Sequence, residues 1–198
     1  MPVDEIAMRY ELTLPEGYRE IADIDLQKNK KLMLLVNGLA LAIAAVMVIP
    51  ALFLVPLWKT IDYSQPLLVL IKMGVLLLSL LAYIVLHELV HGVCMKGITK
   101  QKPRYGFTGM YAFAASDAYF GKTAYLFVAL APVVLWGAVL AIMTPLVPAS
   151  WFWVVYFVQI QNISGAAGDI YVTCRMIRMP KDILVLDSGV GMKVYSKS

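Results

Sequence analysis

The chain has 198 residues, 61% of them hydrophobic and only 15% charged, with a mean hydropathy of +0.75. A water-soluble domain of this length cannot hide so much apolar surface, so the composition excludes an ordinary soluble fold and predicts one compact integral membrane domain. The net charge of +4 is no argument for a nucleic-acid partner, because the basic residues flank apolar runs, where they set membrane orientation.

Residues 1–31 are polar and mixed in charge, without the basic-then-apolar pattern of a cleavable signal peptide. They include "LTLPEGYREI", expected to be a short ordered lead-in. Four apolar segments then reach the length of about 20 helical residues that a bilayer requires. They cover residues 32–57, 66–86, 123–143 and 150–172, and the second should continue as a helix through "HELVHG". The stretch "WKTIDYSQP" marks the turn after the first segment, and Pro145 and Pro148 mark the turn after the third. Residues 103–122, "PRYGFTGMYAFAASDAYFGK", suit a hairpin or re-entrant segment whose strand edge could pair with an extended peptide. An aromatic interfacial belt explains the same residues equally well. Residues 180–198 alternate apolar and polar around Gly189, as a small β-hairpin or strand would.

The expected architecture is therefore an all-α integral membrane protein of about four transmembrane helices. It carries a short hairpin between the second and third, and a small β-like tail. Its parts would be a lead-in (1–31), a four-span domain (32–179) and a tail (180–198). Lys28, Lys30 and Lys31 precede the first span. Lys96, Lys100, Lys102, Arg104 and Lys122 lie between the second and third, and Arg175, Arg178 and Lys181 follow the fourth. The opposite loops hold only Lys59, and Lys72 can snorkel outward. This bias puts both termini in the cytoplasm, where Cys94 and Cys174 should be free thiols.

The chain has two histidines, and both fall in H-E-x-x-H as His87 and His91. Residues four apart on a helix share a face, so both imidazoles can reach one metal ion. Glu88, one position on, can reach a water beside that ion and act as its general base. Ionisable groups at the edge of a membrane core are functional by default.

A catalytic zinc takes three protein ligands, so the third must be Asp, Glu or Cys. Asp169 ranks first: with Asn162, Gly165 and Ala166 it forms a polar or small face late in the fourth span. Gly165, Ala166 and Gly168 allow close helix approach there. Cys94 shares a face with His91 but reads more simply as a small buried hydrophobe. Asp117 reads as a loop or cap residue.

The chain resembles the bacterial membrane family of putative zincin peptidases, long classed as a domain of unknown function. The likeness lies in "HELVHG", in "YGF" followed by "YFGKTAYLFVALAP", in "SGAAGDIYV" and in "MPKDILVLDSG", in that order along nearly the whole chain. That family is in turn distantly similar to the site-2 intramembrane metalloproteases. The resemblance implies His87, His91 and Asp169 as ligands of Zn2+, Glu88 as the base, and Asn162 as a substrate-orienting group. The site-2 pattern carries a proline beside that asparagine and a glycine after the aspartate. This chain lacks the proline and has Ile170 in the second place.

The expected function is a zinc-dependent peptidase in the bacterial cytoplasmic membrane. It would cut a peptide or membrane-protein substrate near the cytoplasmic face. A non-catalytic zinc-binding scaffold or sensor is the alternative, and a transporter a third reading. The sequence leaves the oligomeric state open.

Overall fold

The computed structural model describes residues 8–25, 27–109, 111–189 and 191–197. The chain is mostly helical, at 62%. Among the described residues, three helices are long and apolar enough to cross a membrane: α1 (Lys30–Leu54), α3 (Pro66–Thr99) and α4 (Lys122–Leu146). The one-turn helix α2 (Leu57–Thr60) follows α1.

Local chemistry sets where these helices start. The Asn29 side chain accepts the Leu32 N–H at the head of α1, a standard N-cap contact. Ahead of α3, Asp62 accepts from the backbone of Ser64, and Pro66 occupies the first helical turn, where its missing N–H costs nothing. Five buried side chains of α3 follow in steps of four: Tyr83, His87, His91, Met95 and Thr99. This row faces protein, while Leu81, Val85, Leu89 and Val93 are exposed.

The expected fourth span is not one helix. A 3-10 turn at Ala149–Trp151 leads into α5 (Phe152–Gly165), and a separate helix α6 (Ala167–Ile177) follows. Ala166, with ψ of 17°, interrupts the helix. The small run "SGAAG", read from sequence as a packing face, is also poor in helix-stabilising side chains.

The all-α expectation is corrected too. The described residues include seven strands: β1 (Tyr10–Glu11), β2 (Tyr18–Asp25), β3 (Arg104–Phe107), β4 (Ala112–Ala115), β5 (Tyr119–Gly121), β6 (Leu184–Asp187) and β7 (Gly191–Lys197). β3 and β4 pair as the expected hairpin. The other five form one antiparallel sheet in the order β1-β5-β6-β7-β2. Lead-in and tail, expected as separate small elements, are thus strands of the same sheet. Their alternating residues can bury one face only by pairing with one another.

The chain divides into two compact units, with the cuts inside continuous helices. The first comprises residues 1–35, 88–132 and 169–198. Its core joins Met95 of α3, Phe120 of β5, Tyr125 and Val128 of α4, Met176 of α6, and Ile183, Val185 and Val194 of the tail. The Tyr125 hydroxyl donates to Asp187 Oδ2 at 2.8 Å, and the Ser116 N–H donates to the Asp187 carbonyl. Gly189 turns between β6 and β7 with φ of +97°, and an added Cβ would strike the Phe113 ring of the hairpin. Lys122 Nζ donates to the carbonyls of Ile177 and Met179, neutralising the negative end of α6.

The second unit comprises residues 36–87 and 133–168. It is built around Tyr83, Leu140 and Val158, with Leu76, Leu80, Trp136 and Val155 packed against them. Trp153 Nε1 donates to the Val55 carbonyl, the Tyr156 hydroxyl to the Met47 carbonyl, and Lys72 Nζ lies over the Trp151 ring.

Candidate metal centre

The row of side chains on α3 sets the first two donors. His87 and His91 are one turn apart and each is 8% exposed. Asp169 stands in the first turn of α6. A carboxylate is favoured there by the positive end of the helix dipole. The three side chains each offer a ligand atom, and these atoms all lie within 4.8 Å of one another.

The donor set fits a zinc ion. His91 Nδ1 lies 2.9 Å from the Val128 carbonyl, which can only accept. Nδ1 therefore carries a proton, which makes Nε2 the nitrogen that can bind a metal. That Nε2 is 3.7 Å from Asp169 Oδ1. Two ligands about 2.0–2.1 Å from a tetrahedral zinc stand about 3.3–3.4 Å apart, so this spacing is close to that of two ligands sharing one ion.

His87 is held in the same way by different groups. Asn162 is fully buried, and its Nδ2 donates to the Val133 carbonyl at 3.2 Å. This orients the amide so that Oδ1 accepts the Tyr83 hydroxyl at 2.7 Å. With its proton used, Tyr83 can only accept from His87 Nδ1, 2.7 Å away. His87 Nε2 is left as the donor atom. Gly137 leaves room for the arrangement, since an added Cβ there would stand 3.2 Å from Asn162 Nδ2.

Glu88 is half-buried and follows His87 on α3. The Tyr105 ring, from β3, lies on the same face of the helix. A Cβ on Gly92 would run into the Tyr105 hydroxyl. Desolvation, with the Glu88 charge adding to it, pushes the Tyr105 phenol above its ordinary range. Burial likewise raises the Asp187 carboxyl on β6, against the opposing pull of the Gly189 N–H and the Tyr125 hydroxyl.

The structure brings His87, His91 and Asp169 together, with Glu88 beside them in sequence. Cys94 and Asp117 do not join the cluster. Cys94 packs against the hydrophobic core, and Asp117 is exposed and pairs with Arg104 at 2.7 Å. Both cysteines are free.

Sequence reasoning missed Tyr83 and Pro132. The signal for Tyr83 was its place four residues before His87, in step with the motif. Pro132 was visible four residues after Val128, but only the fold shows which side chain meets that carbonyl.

Long apolar helices and a buried pair of histidines with a carboxylate define a membrane-capable metalloprotein. The family described as "Putative zincin peptidase" matches residues 80–184, more than half of the chain. The chain belongs to this family, and zinc is the metal that the family implies for the His–His–Asp cluster. No curated protein and no solved structure matches the chain.

Proposed function

We propose that the protein is a membrane-embedded zinc endopeptidase that cuts peptide bonds close to the cytoplasmic face. The observation that carries this reading is the convergence of His87, His91 and Asp169 in a chain whose family is peptidase-like. Zinc held by these three side chains would supply Lewis acidity, acidifying water and polarising a carbonyl.

The protein groups do the rest. His87 and His91 present Nε2, and Asp169 adds the negative charge that balances the ion. The Glu88 carboxylate takes a proton from the attacking water and delivers it to the leaving amine nitrogen. Of the other candidates, Asn162 is the one whose buried position favours holding His87 over touching substrate. The hairpin edge, with Tyr105 and Phe107 exposed, offers an extended peptide a strand to pair with beside Glu88.

Depth in the bilayer follows from length. α3 has 34 residues, about 51 Å at 1.5 Å per residue, against a hydrocarbon core of about 30 Å. A crossing that starts at Pro66 is complete near residue 86, so the motif emerges at the far end. In this reading α5 and α6 together make a broken fourth crossing, as interrupted helices do at other membrane sites. Both termini are then cytoplasmic, as the Lys and Arg distribution requires.

The test is Glu88→Gln in lipid nanodiscs, with zinc content by elemental analysis and cleavage of a membrane-peptide mixture by mass spectrometry. The variant should keep about one zinc per chain, as a catalytic site does, and lose cleavage. Undiminished cleavage by the variant would sink the mechanism. Four protein ligands and no water in X-ray absorption, with an inert wild type, would favour the scaffold reading.

A further inference from the structure

We infer that the two histidines are locked in one tautomer by two separate acceptors, each set in place by a residue outside the His–His–Asp cluster. Tyr83, fixed by Asn162, sets His87. The Val128 carbonyl, released by Pro132, sets His91. The inference rests on the metal-centre reading and names the positioning residues of that site.

The His91 arm follows from elementary helix chemistry. Val128 lies inside α4, where its carbonyl would accept the N–H of residue 132. Residue 132 is proline, which has no N–H and whose ring crowds the carbonyl four residues back. Pro132 is itself fully buried. In a helix interior such a proline is disfavoured relative to alanine, and the carbonyl it frees is the one that meets His91 Nδ1 at 2.9 Å.

The His87 arm is a one-way chain of donors. It runs from His87 Nδ1 to the Tyr83 oxygen, from the Tyr83 hydroxyl to Asn162 Oδ1, and is anchored where Asn162 Nδ2 meets the Val133 carbonyl. Reversing any step would leave two donors or two acceptors facing each other. In both arms Nδ1 is occupied and Nε2 is the nitrogen left to bind metal. Partners behind metal-binding histidines set tautomer and ring orientation, and their loss typically costs about 10–100-fold in metal affinity.

The test uses the full chain in nanodiscs, labelled with 15N only at histidine. Two imidazoles give two separately readable signals, so each arm controls for the other. Spectra are taken without zinc, at a pH high enough to keep both rings neutral, and zinc affinity is measured separately by competition with a chelating dye. Tyr83→Phe should move only His87 out of the Nδ1–H tautomer, and Asn162→Leu should reproduce it. Pro132→Ala should move only His91. Each variant should bind zinc about 10–100-fold more weakly, and Pro132→Ala should do so while unfolding at a higher temperature than wild type. Either histidine keeping its wild-type tautomer in its own variant, or both moving together in every variant, would overturn the inference. A wild type with the expected tautomers but no zinc affinity would instead count against the peptidase reading alone.

Discussion

Gly92 sits one residue after His91, where the structure leaves no room for a side chain. It is buried on α3, next to His91, and the Tyr105 phenol occupies the space a side chain would need. Alanine at this position has two opposing effects. It should stabilise the helix by up to about 1 kcal/mol, and it should overpack the Tyr105 contact at about 1–3 kcal/mol. We therefore expect Gly92→Ala to lower the unfolding midpoint in the wild-type background and to raise it when Tyr105 is also alanine. The same sign in both backgrounds would show that Tyr105 does not rest on Gly92. The pairing of His87 with His91 was legible in the sequence because a spacing of one helical turn puts both on one face without knowledge of the fold. The Tyr105 contact was not, because it depends on how the β3–β4 hairpin folds back over the helix end.

At the level of elements, the break between α5 and α6 decides where Asp169 stands. A continuous helix through residue 172 would have left the aspartate inside a helix, away from any helix start. The interruption at Ala166 instead starts α6 at Ala167 and puts the carboxylate in its first turn. Sequence alone found Asp169 from its depth and its small neighbours, but took "SGAAG" as a seam within one helix. Hydropathy counts apolar length, and it is blind to a single residue with the wrong ψ. If Asp169 supplies the third ligand, Asp169→Ala should reduce zinc occupancy about as far as His91→Ala does. Full occupancy in the Asp169 variant would remove it from the set. Asp169→Ala should leave the helical content seen by circular dichroism unchanged, since the break lies three residues earlier.

Over the whole molecule, the apolar spans were the easiest part to read and the five-stranded sheet the hardest. Strands β1 and β2 lie more than 90 residues in sequence from β5, β6 and β7, and alternation alone does not say which short strand pairs with which. The tail matters to the core more than its length suggests. Ile183, Val185 and Val194 are 0–1% exposed, and each such side chain contributes roughly 1.5–3 kcal/mol on burial. Together they approach the total stability of about 5–15 kcal/mol typical of a domain. A chain ending at residue 181 should therefore lose the first unit: limited proteolysis should cut between residues 100 and 120, and added zinc should no longer raise the unfolding temperature. Protection equal to wild type would show that the sheet is dispensable.

The pairing of β2 with β7 also carries a temporal consequence. Tyr18 lies opposite Lys197 and Asp25 opposite Gly191, so a strand made among the first residues waits for one made some 170 residues later. At synthesis rates of about 5–20 residues per second, β2 stays unpaired for roughly ten to thirty seconds. Until residues 191–197 leave the ribosome, the unit that holds Glu88, His91 and Asp169 lacks part of its core. A chain built this way completes the surroundings of Glu88, His91 and Asp169 only after its last strand has been made.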